Sequence, residues 1–388
     1  MNKSTKIIIG IIVALIVIGG IWYGTSKKPT APTAKEPIKI GASLPITDSL
    51  AYKGIFEKRG MEMAVDEINY KGGINGKNLK LIIEDNEGDP NKAVTGVKKM
   101  IEVDNVPVIL SSFTNISSAI APIIVERNRV LLYQSTISSL AKSNDNIFKD
   151  YYSMKDVGEA FAKAAYQEGV RDIGLLYPIS EWGDDFKMGV ENEAKRLGIN
   201  IKIIETFNPS ATDLKTNILK IKEKGVEGLL TTGLEKHNLM MMKALNDLNF
   251  LNIRLFAIEL LTQNISKDST SIYVMNKTKA ISSWYFFDPS NSDPKSKNFV
   301  ENYKKKYNEE PTADAAYFYD DIYVLADVFK ICDAKNTFNS GCILSELKKI
   351  QNYPGIAGKI SFDNEGISNR PLRFFQFTGG NWETYDIK

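Results

Sequence analysis

Histidine and cysteine are almost missing from this chain. His237 is the sole histidine of 388 residues, and Cys332 and Cys342 are the two cysteines. A zinc site built on His and Cys has too few ligands here. A thiol enzyme has no adjacent base in sequence, and only one serine–histidine dyad can be drawn. A surplus of either charge is missing as well. Lys+Arg is 49 and Asp+Glu is 47, so the formal net charge is +2 and gives no reason to expect nucleic acid. No GxGxxG or GxxxxGK[ST] follows a strand-like run, and GGING at residues 72–76 has a turn composition without phosphate-loop context. These absences predict no catalysis, no cofactor and no metal. What is present is ordinary: 43% hydrophobic, 25% charged and 10% aromatic residues. Such values exclude collagen, coiled coil and wholesale disorder, and the length suits two domains of about 100–200 residues each.

The amino terminus departs from that average. Lys3 and Lys6 precede an uncharged run over residues 7–24, IIIGIIVALIVIGGIWYG. About 18 apolar residues just span a bilayer as a helix, and Trp22 and Tyr23 stand where amphipathic rings prefer the interface. Residues 1–24 therefore read as an uncleaved membrane anchor, with a cleaved signal segment as the alternative. Residues 25–37, rich in Pro, Thr, Ala and Lys, read as a flexible tether. Either reading places the remaining chain outside the cytoplasm. There Cys332 and Cys342 suit a small-loop disulfide, the alternative being two buried thiols.

From Ile38 onward, short apolar runs alternate with segments of helical periodicity. In GIFEKRGMEMAVDEIN, for example, Ile55, Met61, Ala64, Val65 and Ile68 fall on one side. Repeated βα units with apolar strands imply parallel sheets covered by helices on both faces. The cycle breaks near residues 150–155 and again near 282–287. A second domain inserted into the first explains both breaks. The expected lobes are residues 38–151 with 285–357, and residues 152–284 with 358–388. Open α/β sheets bind ligands beyond the carboxyl ends of their strands, so the cleft between lobes is the place to look.

At those ends polar residues gather. Strand PVIL runs into SSFTNISSAIAP, where Thr114, Asn115, Ser117 and Ser118 crowd a helix start. A helix start carries unpaired N–H groups and partial positive charge, which suit a carboxylate; a cap alone needs one such residue. Ser135 and Thr136 crowd the end of the next strand. In the second lobe Trp182 opens a helix after IGLLYPI, as a lid on a ligand or as core. Glu259 directly follows LFAI, as an ammonium acceptor or as a surface carboxylate. His237 reads as a polar helix-start residue, Met240–Met242 as packing, and NYKKKYN as a solvated face.

Together these elements resemble the type I periplasmic binding proteins, in particular the leucine/isoleucine/valine-binding branch that serves ABC transporters. The likeness covers nearly all of residues 38–388. It is carried by IKIGASLPITDSLAYKG, by GMEMAVDEINYKGGINGKNLKLIIEDNEGDPNKAV, by VERNRVLLYQSTIS, by ADAAYFYDDIYVLADVF and by AGKISFDNEG. The resemblance implies two Rossmann-like lobes with parallel sheets joined by three crossovers, here following a transmembrane segment. It also implies an amino acid held between the lobes. Its carboxylate would lie at Thr114, Asn115, Ser117 and Ser118, with Ser135 and Thr136 beside it. Its ammonium would lie on Glu259, Trp182 falls where the family often has a tyrosine, and Tyr52 and Lys53 fall near a side-chain contact, where Lys53 would favour an acidic or polar ligand tail or point to solvent. Leu234 and Glu235 fall near an aromatic position of the family and are not aromatic. The partners implied are a small ligand and membrane permease subunits, with the receptor a monomer. A sensory or regulatory ligand-binding domain of the same fold, acting through a separate partner, is the alternative function.

Overall fold

The computed structural model describes residues 35–48, 50–285, 293–368, 370 and 372–388, with residues 2, 11, 12 and 14. Most of the expected anchor and most of the tether lie outside the described residues. Among the described residues no helix is long and apolar enough to cross a membrane.

The first stretch of lobe 1 runs β1 (Ile38–Leu44), α1 (Ala51–Tyr70), β2 (Leu79–Asp85), α2 (Pro90–Glu102), β3 (Val108–Ser112), α3 (Thr114–Glu126), β4 (Val130–Gln134), α4 (Ser139–Lys142) and β5 (Ile147–Asp150). Lobe 2 follows with α5 (Met154–Gln167), β6 (Asp172–Pro178), α6 (Glu181–Leu197), β7 (Asn200–Phe207), α7 (Lys215–Glu223), β8 (Gly228–Thr231), α8 (Glu235–Asp247), β9 (Arg254–Ala257), α9 (Gln263–Lys267), α10 (Ser269–Thr278) and β10 (Ile281–Tyr285). The chain then returns to lobe 1 as α11 (Pro294–Tyr307), α12 (Ala313–Ala334), α13 (Ser340–Leu347), β11 (Tyr353–Gly355), β12 (Gly358–Ile360) and β13 (Ile367–Ser368). It ends in lobe 2 as β14 (Leu372–Thr378) and β15 (Asn381–Tyr385).

Local sequence explains the punctuation. Asp89 caps α2 by accepting the Asn91 and Lys92 N–H groups, and Pro90 fills the first helical position, where no N–H is needed. Ser180 caps α6, and Gly198 ends it in the left-handed conformation. At Gly60 a Cβ would lie 2.0 Å from the Ala315 carbonyl oxygen, so this glycine is what lets α1 and α12 pack closely.

The lobe 1 sheet has the order β2-β1-β3-β4-β5-β13, and β3, β4 and β5 are buried along their whole length. The lobe 2 sheet is β7-β6-β8-β9-β10-β14-β15. Its first five strands are parallel, whereas β14 and β15 pair antiparallel as an edge hairpin turned by Gly379 and Gly380, both at positive φ. The expected parallel sheet therefore holds throughout lobe 1 and is mixed at one edge of lobe 2. The expected lobe boundary at 357/358 also shifts: β13 pairs parallel with β5, so residues 358–368 belong with lobe 1 and the third crossover follows Ser368. A two-residue strand carries too little periodicity to be seen in sequence. The Cys332 and Cys342 sulfurs are bonded, joining α12 to α13 with their Cα atoms 5.9 Å apart.

In both sheets the strand order reverses direction beside the first strand of the lobe, between β1 and β3 and between β6 and β8. A ligand crevice forms at such a switch point. The lobes set these two crevices face to face.

Candidate functional site

A cavity of about 630 Å³ lies between the lobes, lined by the carboxyl ends of strands from both. From lobe 1 the β3–α3 junction contributes Ser112, Phe113, Thr114, Asn115 and Ser118, and the end of β4 contributes Gln134, Ser135 and Thr136. From lobe 2 come Ser180 and Trp182 after β6, Leu234 and His237 after β8, and Ile258 and Glu259 after β9. Tyr151, Tyr152 and Met154 of the first crossover form the back wall.

The α3 start faces the cavity with Thr114, Asn115 and Ser118. Helix α3 begins at Thr114, so Thr114 and Asn115 stand in its first turn. The first N–H groups of a helix lack partners inside it, and the helix dipole adds positive character. No side chain caps them here: Phe113 occupies the capping position at φ 66°. That left-handed backbone is costly for a bulky residue and is held by its surroundings, the Phe113 N–H donating to the Gln134 carbonyl. The Thr114 and Ser135 hydroxyls are 2.7 Å apart, joining the two hydroxyl-bearing loops into one polar wall.

Two expected residues lie elsewhere. Ser117 is fully buried against β3, its Oγ 3.1 Å from the Ser111 Oγ. At about 100° per residue, Thr114, Ser118 and Asn115 share one arc of the helix and Ser117 falls outside it. Tyr52 is 45% exposed and does not line the cavity; its neighbour Lys53 does. The same helical phase explains this, because consecutive residues point to different faces.

Lys53, expected near the ligand tail or in solvent, and His237, expected as a polar helix-start residue, line the cavity together with Glu57 and Asp314, which the sequence did not single out. Lys53 Nζ reaches across from lobe 1 to Glu259 Oε1, 2.9 Å away, and the two side chains are 14% and 8% exposed. Burial works against the Lys53 charge, but the Glu259 carboxylate more than offsets this and raises the ammonium well above its usual range. Glu259 itself sits at φ 56°, a left-handed turn that directs a residue following β9 back towards the cavity. A second contact between lobes joins the Ser139 hydroxyl to Glu181 Oε1 at 2.7 Å.

Glu57 lies one helical turn beyond Lys53 and is buried. The Ser112 hydroxyl donates to its Oε2 at 2.8 Å. Burial, reinforced by Asp314, pushes its carboxyl up to about 8. Asp314 is likewise raised by burial, and the Tyr151 hydroxyl donates to its Oδ1 at 3.3 Å. Burial lowers His237, so the ring is neutral at pH 7. Its Nδ1 accepts the Leu234 N–H at 3.1 Å, which leaves Nε2–H to donate to the Pro209 carbonyl at 2.9 Å. Both ring nitrogens are thus used in holding the β8–α8 loop.

The raised Glu57 value sets a sign for stability. The folded state favours the neutral acid, so this group's contribution is complete below the ordinary glutamate value and is lost as pH climbs towards about 8. Glu57→Gln keeps the shape and cannot ionise. Its melting temperature should match the natural protein near pH 5 and exceed it near pH 9, as thermal unfolding across that range would show. Parallel curves would mean that Glu57 ionises without penalty.

Two α/β lobes facing each other across a polar-ended cleft define a solute-binding protein. Residues 37–381 match the family model described as periplasmic binding protein, and the chain belongs to that family. It is a binding protein and not an enzyme, and membership places its folded body outside the cytoplasm. Over 301 residues the chain is 25% identical to Leu/Ile/Val-binding protein homolog 7 of Brucella melitensis biotype 1, covering 72% of this chain and 73% of that one. Its fold is similar to that of the branched-chain amino acid transporter substrate-binding protein of Streptococcus pneumoniae, solved with isoleucine. That likeness has a TM-score of 0.76 at 22% identity, over 89% of this chain and 98% of that one. It is also similar to a solute-binding protein of R. palustris solved with benzoate, with a TM-score of 0.77 at 14% identity, over 90% and 96% of the two chains.

Proposed function

We propose that this protein is the solute receptor of an ABC transporter, that it holds a free amino acid in the interlobe cavity, and that it delivers it to a membrane permease. Residues 1–24 would keep it at the membrane as a monomeric receptor. One observation carries the ligand class: an anion-receiving helix start on lobe 1 and the Glu259 carboxylate on lobe 2 face the same cavity. That pairing matches an α-carboxylate and an α-ammonium. The relatives named for leucine, isoleucine and valine, and the isoleucine held by the Streptococcus protein, support an amino acid.

The α3 start, with the Thr114, Ser118 and Ser135 hydroxyls, receives the carboxylate, and Glu259 receives the ammonium. Because the two sites belong to different lobes, a ligand bridging them favours the closed arrangement over an open one, with the crossovers as hinges. Closure dries the site and strengthens each charge-assisted hydrogen bond. The closed protein then offers a permease one fixed surface made by both lobes.

The ammonium makes the reading testable. At about one hundred times its dissociation constant a cognate free amino acid should raise stability by about 2.7 kcal/mol. Its N-acetyl derivative, which keeps the carboxylate and loses the charge, should give almost none. Thermal-shift screening of both sets decides it. Stabilisation by simple carboxylates such as benzoate, with none from any amino acid, would overturn the proposal.

A further inference from the structure

Glu57 brings an acid group to the end of the cavity assigned to the ligand carboxylate. It lines the cavity from α1 and is only 3% exposed. Ser112 closes β3 two residues before the α3 start, and its hydroxyl donates to Glu57 Oε2 at 2.8 Å. That contact fixes the carboxyl beside the β3–α3 junction. Among the described residues no hydrogen bond holds the other oxygen, Oε1. With Oε2 turned to Ser112, Oε1 is the oxygen left to meet a ligand.

The surroundings decide which form of the acid a ligand meets. Lys53 on the same helix and Asp314 at the start of α12 act on Glu57 directly, and Glu259 and His237 line the cavity from lobe 2. Lys53 favours an ionised Glu57, but burial and Asp314 outweigh it and push the carboxyl up to about 8. Glu57 is then mostly neutral at pH 7. Since Oε2 accepts from Ser112, the acid proton lies on Oε1. A buried donor left without an acceptor is unfavourable. An ionised Glu57 would set its own charge beside that of a ligand carboxylate, whereas the neutral acid joins the two by a hydrogen bond.

We propose that Glu57 is a ligand-binding residue whose Oε1–H donates to the ligand α-carboxylate, and that a protein whose Glu57 is ionised takes a proton from solvent in order to bind. This inference rests on the amino-acid receptor reading above, from which it takes the carboxylate at the α3 start, and deepens it. The proton stays on Oε1 while ligand is bound and returns to solvent after release. The opposite arrangement, an ionised Glu57 receiving a ligand cation, would release a proton on binding. Other groups of the site do not blur the count. Lys53 is raised well above its usual range, His237 is lowered, and the Tyr151 hydroxyl already donates to the raised Asp314.

Calorimetric titration of the full-length protein with each common L-amino acid, in buffers of unequal ionisation enthalpy such as HEPES and Tris, tests this, because heat that changes with buffer counts the protons exchanged. The tightest binder should take up about half a proton at about pH 8 and almost none at about pH 6.5. Its affinity should fall about fourfold from about pH 7 to about pH 8.5. Glu57→Gln, whose amide replaces the acid donor, should bind without uptake and with a flat profile. Glu57→Ala should bind about tenfold or more weakly, the size of one hydrogen bond to a charged group. Release of a proton, or no exchange at about pH 8, would overturn the inference and leave the receptor reading standing. Uptake that persists in Glu57→Gln would do the same and would move the proton to Asp314. The sign of exchange in the natural protein decides the matter even where a variant folds poorly. Benzoate taking up the same half proton, with no heat from any amino acid, would overturn the receptor reading and keep Glu57 on a carboxylate.

Discussion

Arg370→Met is expected to cost about 3–5 kcal/mol of folding stability, because it strands buried carboxylates. Arg370 lies in the third crossover, and its guanidinium is fully buried. Its Nε donates to both Asp150 oxygens at 2.9 and 3.0 Å, its Nη2 donates to Asp150 Oδ2 at 2.6 Å, and its Nη1 donates to Asp320 Oδ2 at 2.9 Å. Asp150 ends β5, where the first crossover leaves lobe 1, and Asp320 lies on α12. One side chain therefore ties two crossovers to one helix. Asp320 has further work, since it accepts the Ile356 and Ala357 N–H groups. Next to it, burial and the nearby Asp150 charge push Asp321 well above its usual range; Gln134 of the cavity wall donates to it at 2.6 Å.

With a methionine in place of Arg370, Asp150 and Asp320 stay buried without a counter-ion. Urea unfolding should show a lower midpoint with an unchanged slope. Converting Asp150 to Asn in the same chain removes one stranded charge, so the double variant should recover part of the loss. A shift below about 1 kcal/mol, the range of exposed ion pairs, would show that water reaches this cluster.

Much of this architecture was legible in the sequence because its strands are short apolar runs and its helices have a clear apolar face. Met61, Ala64, Val65 and Ile68 are buried on α1 as their spacing requires. The strand ends holding Thr114, Ser135, Trp182 and Glu259 meet at one cavity because the parallel strands of each sheet put their carboxyl ends on the same edge. Helical phase decided the misses. Ser117 and Tyr52 are single-residue errors of face beside residues that do line the cavity. Glu57 carries no signal of its own, being one charged residue among several on α1, whereas Lys53 is expected at the ligand tail or in solvent. The contact that gives Lys53 its meaning joins residues 206 apart, which no local pattern encodes. The Arg370 cluster is hidden for the same reason. Its members come from β5, from α12 and from the third crossover, and buried arginine is rare enough that sequence reading assigns it to the surface.

Glu259→Ala is expected to weaken binding of the cognate amino acid by about 2–5 kcal/mol, the usual effect of truncating one partner of a buried charge pair. Two consequences add. The ligand ammonium loses its anion in a site that closure has dried, and Lys53 loses the contact that spans the lobes, so the closed form is less favoured before ligand arrives. Glu259→Gln separates them: it keeps an acceptor oxygen and the packing, and removes only the charge. If charge dominates, Gln should lose nearly as much as Ala; if packing dominates, Gln should bind almost normally. Combining Glu259→Ala with Lys53→Met closes a double-mutant cycle. Since Lys53 and the ligand ammonium draw on one carboxylate, the two losses should be strongly non-additive. Calorimetry on the four proteins measures this directly. Affinity within about threefold of the natural value in Glu259→Ala, well below one charge-assisted hydrogen bond, would place the ammonium elsewhere in the cavity.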